Sequence, residues 1–383
     1  MHSRAHQLLT LGQSVWLDFI RRGHLASGEF DRAVDEAGVV GVTSNPTIFQ
    51  LAIAKCSDYD TAMAERVHAG LEGESLFESL AVEDIQMACD RLASIYASSH
   101  GLDGRVSIEV SPRLAHDTAG TIASAKRLFT AVARPNVMVK IPATEAGLPA
   151  ITASLAAGIS VNVTLIFSLA RYAQVMDAYL AGLEAAKANG VALASLRSVA
   201  SFFVSRVDGK VDAAIDQRVA TLPADSSERT ELESLRGKAA VANARLAYAD
   251  FEAVFGAARF KALQGQGAHT QRPLWASTST KNPAYRDVLY VEELIGADTV
   301  NTMPPATLVA FNDHGVLEAR ISRDLAAARA LFPRLEALGV PVGTLIEQLE
   351  PEGVQSFAKS YDELLETLEV RRREMLAQKE TGR

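Results

Sequence analysis

The chain has 383 residues, 48% hydrophobic, 22% charged and 6% aromatic, a composition that excludes a disordered chain, a collagen-like repeat and a coiled coil and supplies ample material for a core. With 38 lysines and arginines against 46 aspartates and glutamates, the net charge of −8 excludes the diffuse positive field of a general nucleic-acid or membrane-surface binder. Any phosphate must then be met by a few local cations. Cys56 and Cys89 form no CxxC, so neither a disulfide scaffold nor a structural zinc site is expected, and a reducing cytoplasm fits. Met1 to Thr10 lacks an apolar h-region and no later segment approaches a membrane-spanning length, so the expectation is a soluble protein with no membrane partner.

In chain order, the first short apolar run is Val15 to Phe19 and the second Val39 to Thr43. The connection Pro46 to Gly104 is too long for one helix and predicts three, broken near Ser57 and near Gly70 to Glu74. Next come the run Arg105 to Val110, a helical stretch Pro112 to Ala133, and the runs Asn136 to Ile141 and Ile159 to Phe167. Ser168 to Asn189 reads as a helix capped by Ser168, and Val199 to Ser205 as a strand. Asp208 to Arg272 predicts at least two helices interrupted at Leu222 to Ser227, where Asp225 and Glu228 resemble a capping box. Pro273 to Thr278 and Thr299 to Met303 complete eight strands. The remainder, alternating Leu with charge, predicts a helical tail over the barrel that ends in the solvated run Arg371 to Glu374. Strands alternating with helices imply parallel βαβ units, and eight of them close a (β/α)8 TIM barrel. No linker, repeat or low-complexity tract divides residues 1–383. The expectation is a single barrel domain with helical inserts near 46–104 and 208–272 and a helical C-terminal extension over 304–383.

Standard signatures are missing: Gly265 and Gly267 have no third glycine and no preceding strand, and there is no GxxxxGK[ST], HExxH or GxSxG. The informative feature is where polar residues interrupt the apolar runs. Asp18 ends the first run, Asn45 follows the second, Glu109 and Lys140 sit inside the third and fourth, and Asn162 and Thr164 inside the fifth. Ser201, Ser277 and Asn301 mark the last three. Most are near the carboxyl ends of their runs, where active sites of such barrels assemble. A polar residue at a strand end often caps the next helix or faces water. A lysine inside a β-branched strand is harder to account for, because burying its charge is costly unless it is paired or neutralised. Burial disfavours the ammonium form and so favours the neutral amine that attacks a carbonyl. Lys140 is therefore a partner of Glu109 or Asp18 in a buried ion pair, or a Schiff-base nucleophile. Two separately tuned carboxyls suit the second reading, one to assist imine formation and one to accept a hydroxyl proton. A divalent-metal site from Asp18, Glu109 and His116 or Asp117 is the rival, and the lysine would repel its ion.

Several stretches together carry a resemblance to a known family: Ser14-Val15-Trp16-Leu17-Asp18, Gly41-Val42-Thr43-Ser44-Asn45-Pro46-Thr47, Val106-Ser107-Ile108-Glu109-Val110, Val137-Met138-Val139-Lys140-Ile141-Pro142-Ala143-Thr144, Val161-Asn162-Val163-Thr164, Ala200-Ser201-Phe202-Phe203-Val204-Ser205-Arg206, Pro273-Leu274-Trp275-Ala276-Ser277 and Asp298-Thr299-Val300-Asn301. The sequence resembles the transaldolases, in particular their longer bacterial form, over about residues 10 to 310. The resemblance implies a class I aldolase-type barrel without metal or organic cofactor, acting on sugar phosphates as a monomer or homodimer. It implies transfer of a dihydroxyacetone unit from sedoheptulose 7-phosphate or fructose 6-phosphate to glyceraldehyde 3-phosphate or erythrose 4-phosphate, in the non-oxidative pentose phosphate pathway. By position, Lys140 matches the Schiff-base lysine, Asp18 the acid/base at the C4 hydroxyl, and Glu109 with Thr164 the relay for imine formation. Asn45, Asn162 and Ser201 match residues that hold the dihydroxyacetone hydroxyls, and Arg206 a phosphate-binding arginine. Shorter family members place a second phosphate-binding arginine after the Ala-Ser of the seventh strand. Here Lys281, with Ser279 beside it, stands in that region, and Ser277 and Lys281 complete the candidate substrate-binding set. Two alternatives remain: a fructose 6-phosphate aldolase releasing free dihydroxyacetone, against which Phe203 replaces the tyrosine of related aldolases, and a non-catalytic sugar-phosphate-binding barrel, against which Asp18, Glu109 and Lys140 are all retained.

Overall fold

A computed structural model describes residues 3–54 and 56–380. Eight strands, β1 (Gln13–Leu17), β2 (Gly41–Val42), β3 (Arg105–Glu109), β4 (Val137–Pro142), β5 (Val161–Ile166), β6 (Ser198–Phe203), β7 (Gln271–Ala276) and β8 (Thr299–Met303), pair in parallel in chain order. The circle closes where β8 pairs with β1, giving a (β/α)8 TIM barrel with helices around it. Nearly every strand residue is buried, as expected where one face packs inside the barrel and the other against helices. Gly41 pairs with Trp16, and a Cβ on Gly41 would fall 2.5 Å from the indole Nε1, so glycine is what lets the two strands lie together. In β5 the register against β6 shifts between Val163 and Ile166, and Leu165 adopts a left-handed φ of 60°. That bulge ends the alternation that places Asn162 and Thr164 on one face.

The insert after β2 holds four helices, Pro46–Ala54, Asp60–His68, Gly73–Arg91 and Ala93–Ser98, one more than predicted. The additional break falls at Leu92, where neither glycine nor proline marks it. The stretch after β3 is likewise divided, into a single 3₁₀ turn at Pro112–Leu114 and a helix Thr118–Val132 capped by Asp117, which accepts from Gly120 N at 3.0 Å. Ser168 does cap the helix Leu169–Ala188, accepting from Arg171 N at 3.1 Å. Between β6 and β7 run four helices: Ser205–Val219, Ser227–Leu235, Ala239–Gly256 and Ala258–Gln264. The cap of the second is Ser226, which accepts from Arg229 N at 3.1 Å, and not Asp225; Glu228 turns instead to Arg218, 2.6 Å away.

After β8 come helices Pro305–His314, Leu325–Ala337, Val342–Glu347 and Leu349–Glu380, and residues 381–383 of the predicted extension lie outside the described residues. The last helix buries Val354, Phe357, Tyr361, Leu364 and Leu368, spaced alternately by three and four. Each fully buried side chain of this kind contributes about 1.5–3 kcal/mol. Its Gly353 faces Leu165 and Phe167, where a Cβ would come within 3.0 Å of Leu165 Cδ2, so the helix rests directly on the carboxyl end of β5. Thr47 donates to Ser360 at 2.9 Å, and Tyr361 meets Phe77 edge-on with centroids 5.5 Å apart. Arg371 belongs to this docking: it donates to Ile53 O at 2.8 Å and pairs with Asp60, and Arg372 is half-buried against Glu369, so only Arg373 and Glu374 of the predicted solvated run are exposed. Among the described residues no helix is long and apolar enough to cross a membrane.

Candidate active site

Lys140 lies in the barrel's inner wall, in register with Glu109 of β3 and Asn162 of β5. Its Nζ is 3.3 Å from Glu109 Oε2 and donates to Ser44 O at 3.1 Å. The two side chains are 5% and 6% exposed, so the pair meets in a medium where charge is expensive. Burial pushes the Glu109 carboxyl up to about 7, against the opposing pull of Lys140 and with a smaller contribution from the negative charge of Asp18. Asp18, just after β1, accepts from Thr43 Oγ1 at 2.7 Å, and Thr43 Oγ1 lies 2.6 Å from Thr302 Oγ1 of β8. Burial raises its pKa too, but the Lys140 charge, the Thr43 hydrogen bond and the Lys281 charge all oppose the rise. Two carboxyls thus flank one amine in different surroundings.

The polar residues of the next strands are fixed by one another. Asn162 Nδ2 donates to Ser107 Oγ at 3.0 Å, and Ser201 Oγ donates to Asn162 Oδ1 at 2.7 Å. Thr164 Oγ1 is buried with no hydrogen-bond partner among the described residues. Asn45 caps the helix Pro46–Ala54 through its Oδ1, which accepts from Ile48 N at 2.9 Å.

A cavity of about 390 Å³ opens at the carboxyl ends of the strands, lined by Asp18, Asn45, Lys140, Ser201, Arg206, Ser277 and Lys281 among others. Glu109, Asn162 and Thr164 do not line it; they stand behind its wall, Glu109 in contact with Lys140 and Asn162 with Ser201. The floor is closed by buried Lys140, whereas Arg206 is half-buried and Lys281 exposed. The Arg206 guanidinium sits 5.7 Å from the Phe203 ring centroid and forms no ion pair among the described residues. Burial lowers its pKa, with Glu352 opposing. Lys281 Nζ donates to Ser279 Oγ at 2.6 Å, and both line the cavity. Ser277 holds a left-handed φ of 58° with its Oγ 2.9 Å from Ser205 Oγ.

Sequence reasoning did not single out Thr43, Thr302, Ser205 or Phe357. Thr43 and Ser205 end the second and sixth runs and Thr302 lies inside the eighth, so register supplied a signal. Phe357 had none: the last helix places its ring centroid 5.8 Å from Lys140 Nζ, making it part of the cavity wall. His116 and Asp117 are exposed, and Asp117 is engaged as a helix cap. Among the described residues no group of three or more His, Cys, Asp or Glu side chains is arranged to hold a metal ion. An enclosed amine between two unequal carboxyls, below two cations, can form an imine with a carbonyl and hold an anionic tail at the mouth.

The family described as Transaldolase/Fructose-6-phosphate aldolase matches residues 15–368. Transaldolase 1 of Streptomyces coelicolor is 52% identical over 360 residues, covering 94% of this chain and 92% of that protein. Transaldolase of Mycolicibacterium smegmatis is 50% identical over 360 residues, covering 94% and 95%. Transaldolase of Thermobifida fusca is 51% identical over 367 residues, covering 96% and 97%.

Proposed function

The chain belongs to the transaldolase/fructose-6-phosphate aldolase family and is an enzyme of transaldolase function, and on that premise we propose that it transfers a dihydroxyacetone unit between sugar phosphates through a Schiff base on Lys140. The observation that carries this assignment is the 3.3 Å contact of Lys140 with Glu109 on the floor of a cavity that has Arg206 and Lys281 toward its mouth. Lys140 attacks the ketone carbon of a donor such as sedoheptulose 7-phosphate, and Glu109 with Thr164 relays the proton that lets water leave the carbinolamine. Asp18 takes the proton of the C4 hydroxyl, the C3–C4 bond breaks, and the aldose departs while a three-carbon enamine stays on Lys140. The enamine carbon then attacks the aldehyde of glyceraldehyde 3-phosphate, Asp18 returns its proton, and hydrolysis frees the new ketose and the amine. Asn45, Ser201 and Ser277 line the cavity and hold donor hydroxyls, and Asn162, behind its wall, positions Ser201 by accepting its hydrogen bond. The scheme calls on no metal or organic cofactor, and free Cys56 and Cys89 fit a reducing cytoplasm. Phe203 lines the cavity without a hydroxyl to order a water against the enamine, which favours transfer over release.

A coupled assay with sedoheptulose 7-phosphate and glyceraldehyde 3-phosphate should yield erythrose 4-phosphate and fructose 6-phosphate in equal amounts. Accumulation of free dihydroxyacetone in place of the ketose product would overturn the transfer assignment.

Phosphate recognition makes a second expectation. Arg206 offers a planar fork and Lys281 a flexible point charge, so Arg206→Ala should raise KM for phosphorylated donors more than Lys281→Ala does. A charged hydrogen bond contributes roughly 1.5–3 kcal/mol, or about ten- to a hundredfold in kcat/KM. Fructose, lacking the phosphate, should be nearly indifferent to both changes, and equal losses on fructose would show that these residues serve the fold or the chemistry.

A further inference from the structure

A second cavity, of about 220 Å³, lies at the opposite pole of the barrel, where the strands begin. Its lining includes Arg105 at the start of β3, Arg197 just before β6 and Arg272 in β7, with His269, Gln264 and Asp298 around them. The three arginines are only 1%, 8% and 6% exposed. Layers inside a barrel are ordinarily filled by branched apolar residues, so packing alone does not call for three guanidinium groups here.

Their counter-charge is incomplete. Arg272 pairs with buried Asp103 at 3.3 Å and also donates to Ser14 Oγ and Thr299 O, each at 2.6 Å. Arg105 is held by neutral groups: Gly101 O at 2.8 Å, Ser160 Oγ at 3.4 Å and the Tyr96 ring at 5.2 Å. Arg197 donates only to carbonyls, those of Ala194, Leu196 and His100 at 2.6, 2.9 and 3.0 Å. The Nε atoms of Arg197 and Arg272 are buried without a hydrogen-bond partner among the described residues. Asp298, the one acidic residue of the lining, is exposed at the rim. Burial, with the neighbouring Arg197, brings Arg105 down to about 10 against the opposing pull of Tyr96 and Asp103. His269 is lowered by burial and by the charges of Arg197 and Arg105. Three buried cations therefore face one buried carboxylate, and a buried charge left without a counter-ion is strongly unfavourable.

We propose that this cavity binds a phosphoryl anion, either inorganic phosphate or the phosphate group of a small sugar phosphate, at a site separate from the Lys140 pocket. Guanidinium forks match phosphate oxygens, and the cavity admits one such group with a short organic tail. Bound there, the anion ties together the starts of β3, β6 and β7 and stabilises the barrel without touching the reacting carbons.

The test is calorimetric titration of the full chain carrying Arg206→Ala and Lys281→Ala, which removes the phosphate cations of the Lys140 pocket. Inorganic phosphate and glycerol 3-phosphate, which has no carbonyl, are titrated separately. Saturable binding of either one at one site per chain is expected, and the tighter of the two identifies the source of the phosphoryl group. Adding Arg197→Gln should weaken binding at least tenfold. Gln264→Glu, an exposed substitution at the rim that leaves the buried arginines in place, should weaken it severalfold and keeps the test decisive if Arg197→Gln does not fold. Absence of saturable binding, or binding that neither substitution weakens, overturns the proposal.

Discussion

Lys140→Ala should abolish turnover, lowering kcat/KM by at least about 10⁴-fold, because the other amine lining the cavity, Lys281, is exposed toward its mouth and does not reach the floor. Borohydride added with fructose 6-phosphate reduces the imine to a secondary amine, so the wild-type chain should be inactivated and carry a dihydroxyacetone-derived adduct on Lys140. The substituted chain should carry none, and a modified peptide elsewhere would sink the assignment. Folding should survive the change. With the ammonium gone, Glu109, already raised to about 7 by burial, protonates instead of standing as an uncompensated buried charge. Thermal melting at neutral pH should show a fold as stable as the parent to within about 2 kcal/mol, since a buried ion pair is itself a weak source of stability.

Asp18→Asn should separate the two halves of the reaction. The amide still allows the imine to form, so trapping in a rapid-quench experiment should show adduct at near the parental rate, but it cannot accept the C4 proton. Carbon–carbon cleavage should fall by about 10²–10⁴-fold. Glu109→Gln should do the opposite and slow the appearance of the adduct. Dehydration of the carbinolamine needs the protonated acid, and a carboxyl with its pKa at about 7 loses that proton as pH rises through neutrality. The rate of imine formation should therefore decline above about pH 7 in the parent, and Glu109→Gln should flatten that decline. If Asp18→Asn cleaves ketose normally, or if the decline persists without Glu109, the two roles have been assigned to the wrong carboxyls.

The barrel could be read from the chain because each strand is a short apolar run buried on both faces, and because a polar residue at a carboxyl end interrupts most of them. Lys140 was legible for a related reason: a charge within Val137 to Ile141 has no solvent to reach. Other features depend on choices that sequence spacing does not make. Asp225 and Ser226 are both good caps, and the extended backbone at Ser226, with φ −72° and ψ 139°, decides between them. The break at Leu92 carries no glycine or proline. Arg105, Arg197 and Arg272 stand at or near strand starts, where a charge usually marks the edge of a buried run, and only closure of the barrel turns them toward one cavity. Phe357 sits on a helix whose apolar stripe says that it packs but not on what.

Phe357 also follows all eight strands in the order in which the chain is made. During synthesis the ribosome delivers Lys140, both carboxyls and Arg206 long before the residue that covers the amine. Every side chain around the Lys140 amine except Phe357 is thus contributed by residues that precede the last helix. Until the final helix docks through Gly353 onto Leu165 and Phe167, that amine is open to water and to any small aldehyde nearby. The helix Leu349–Glu380 therefore joins the outer packing of the barrel to the enclosure of Lys140 through a single residue, Phe357.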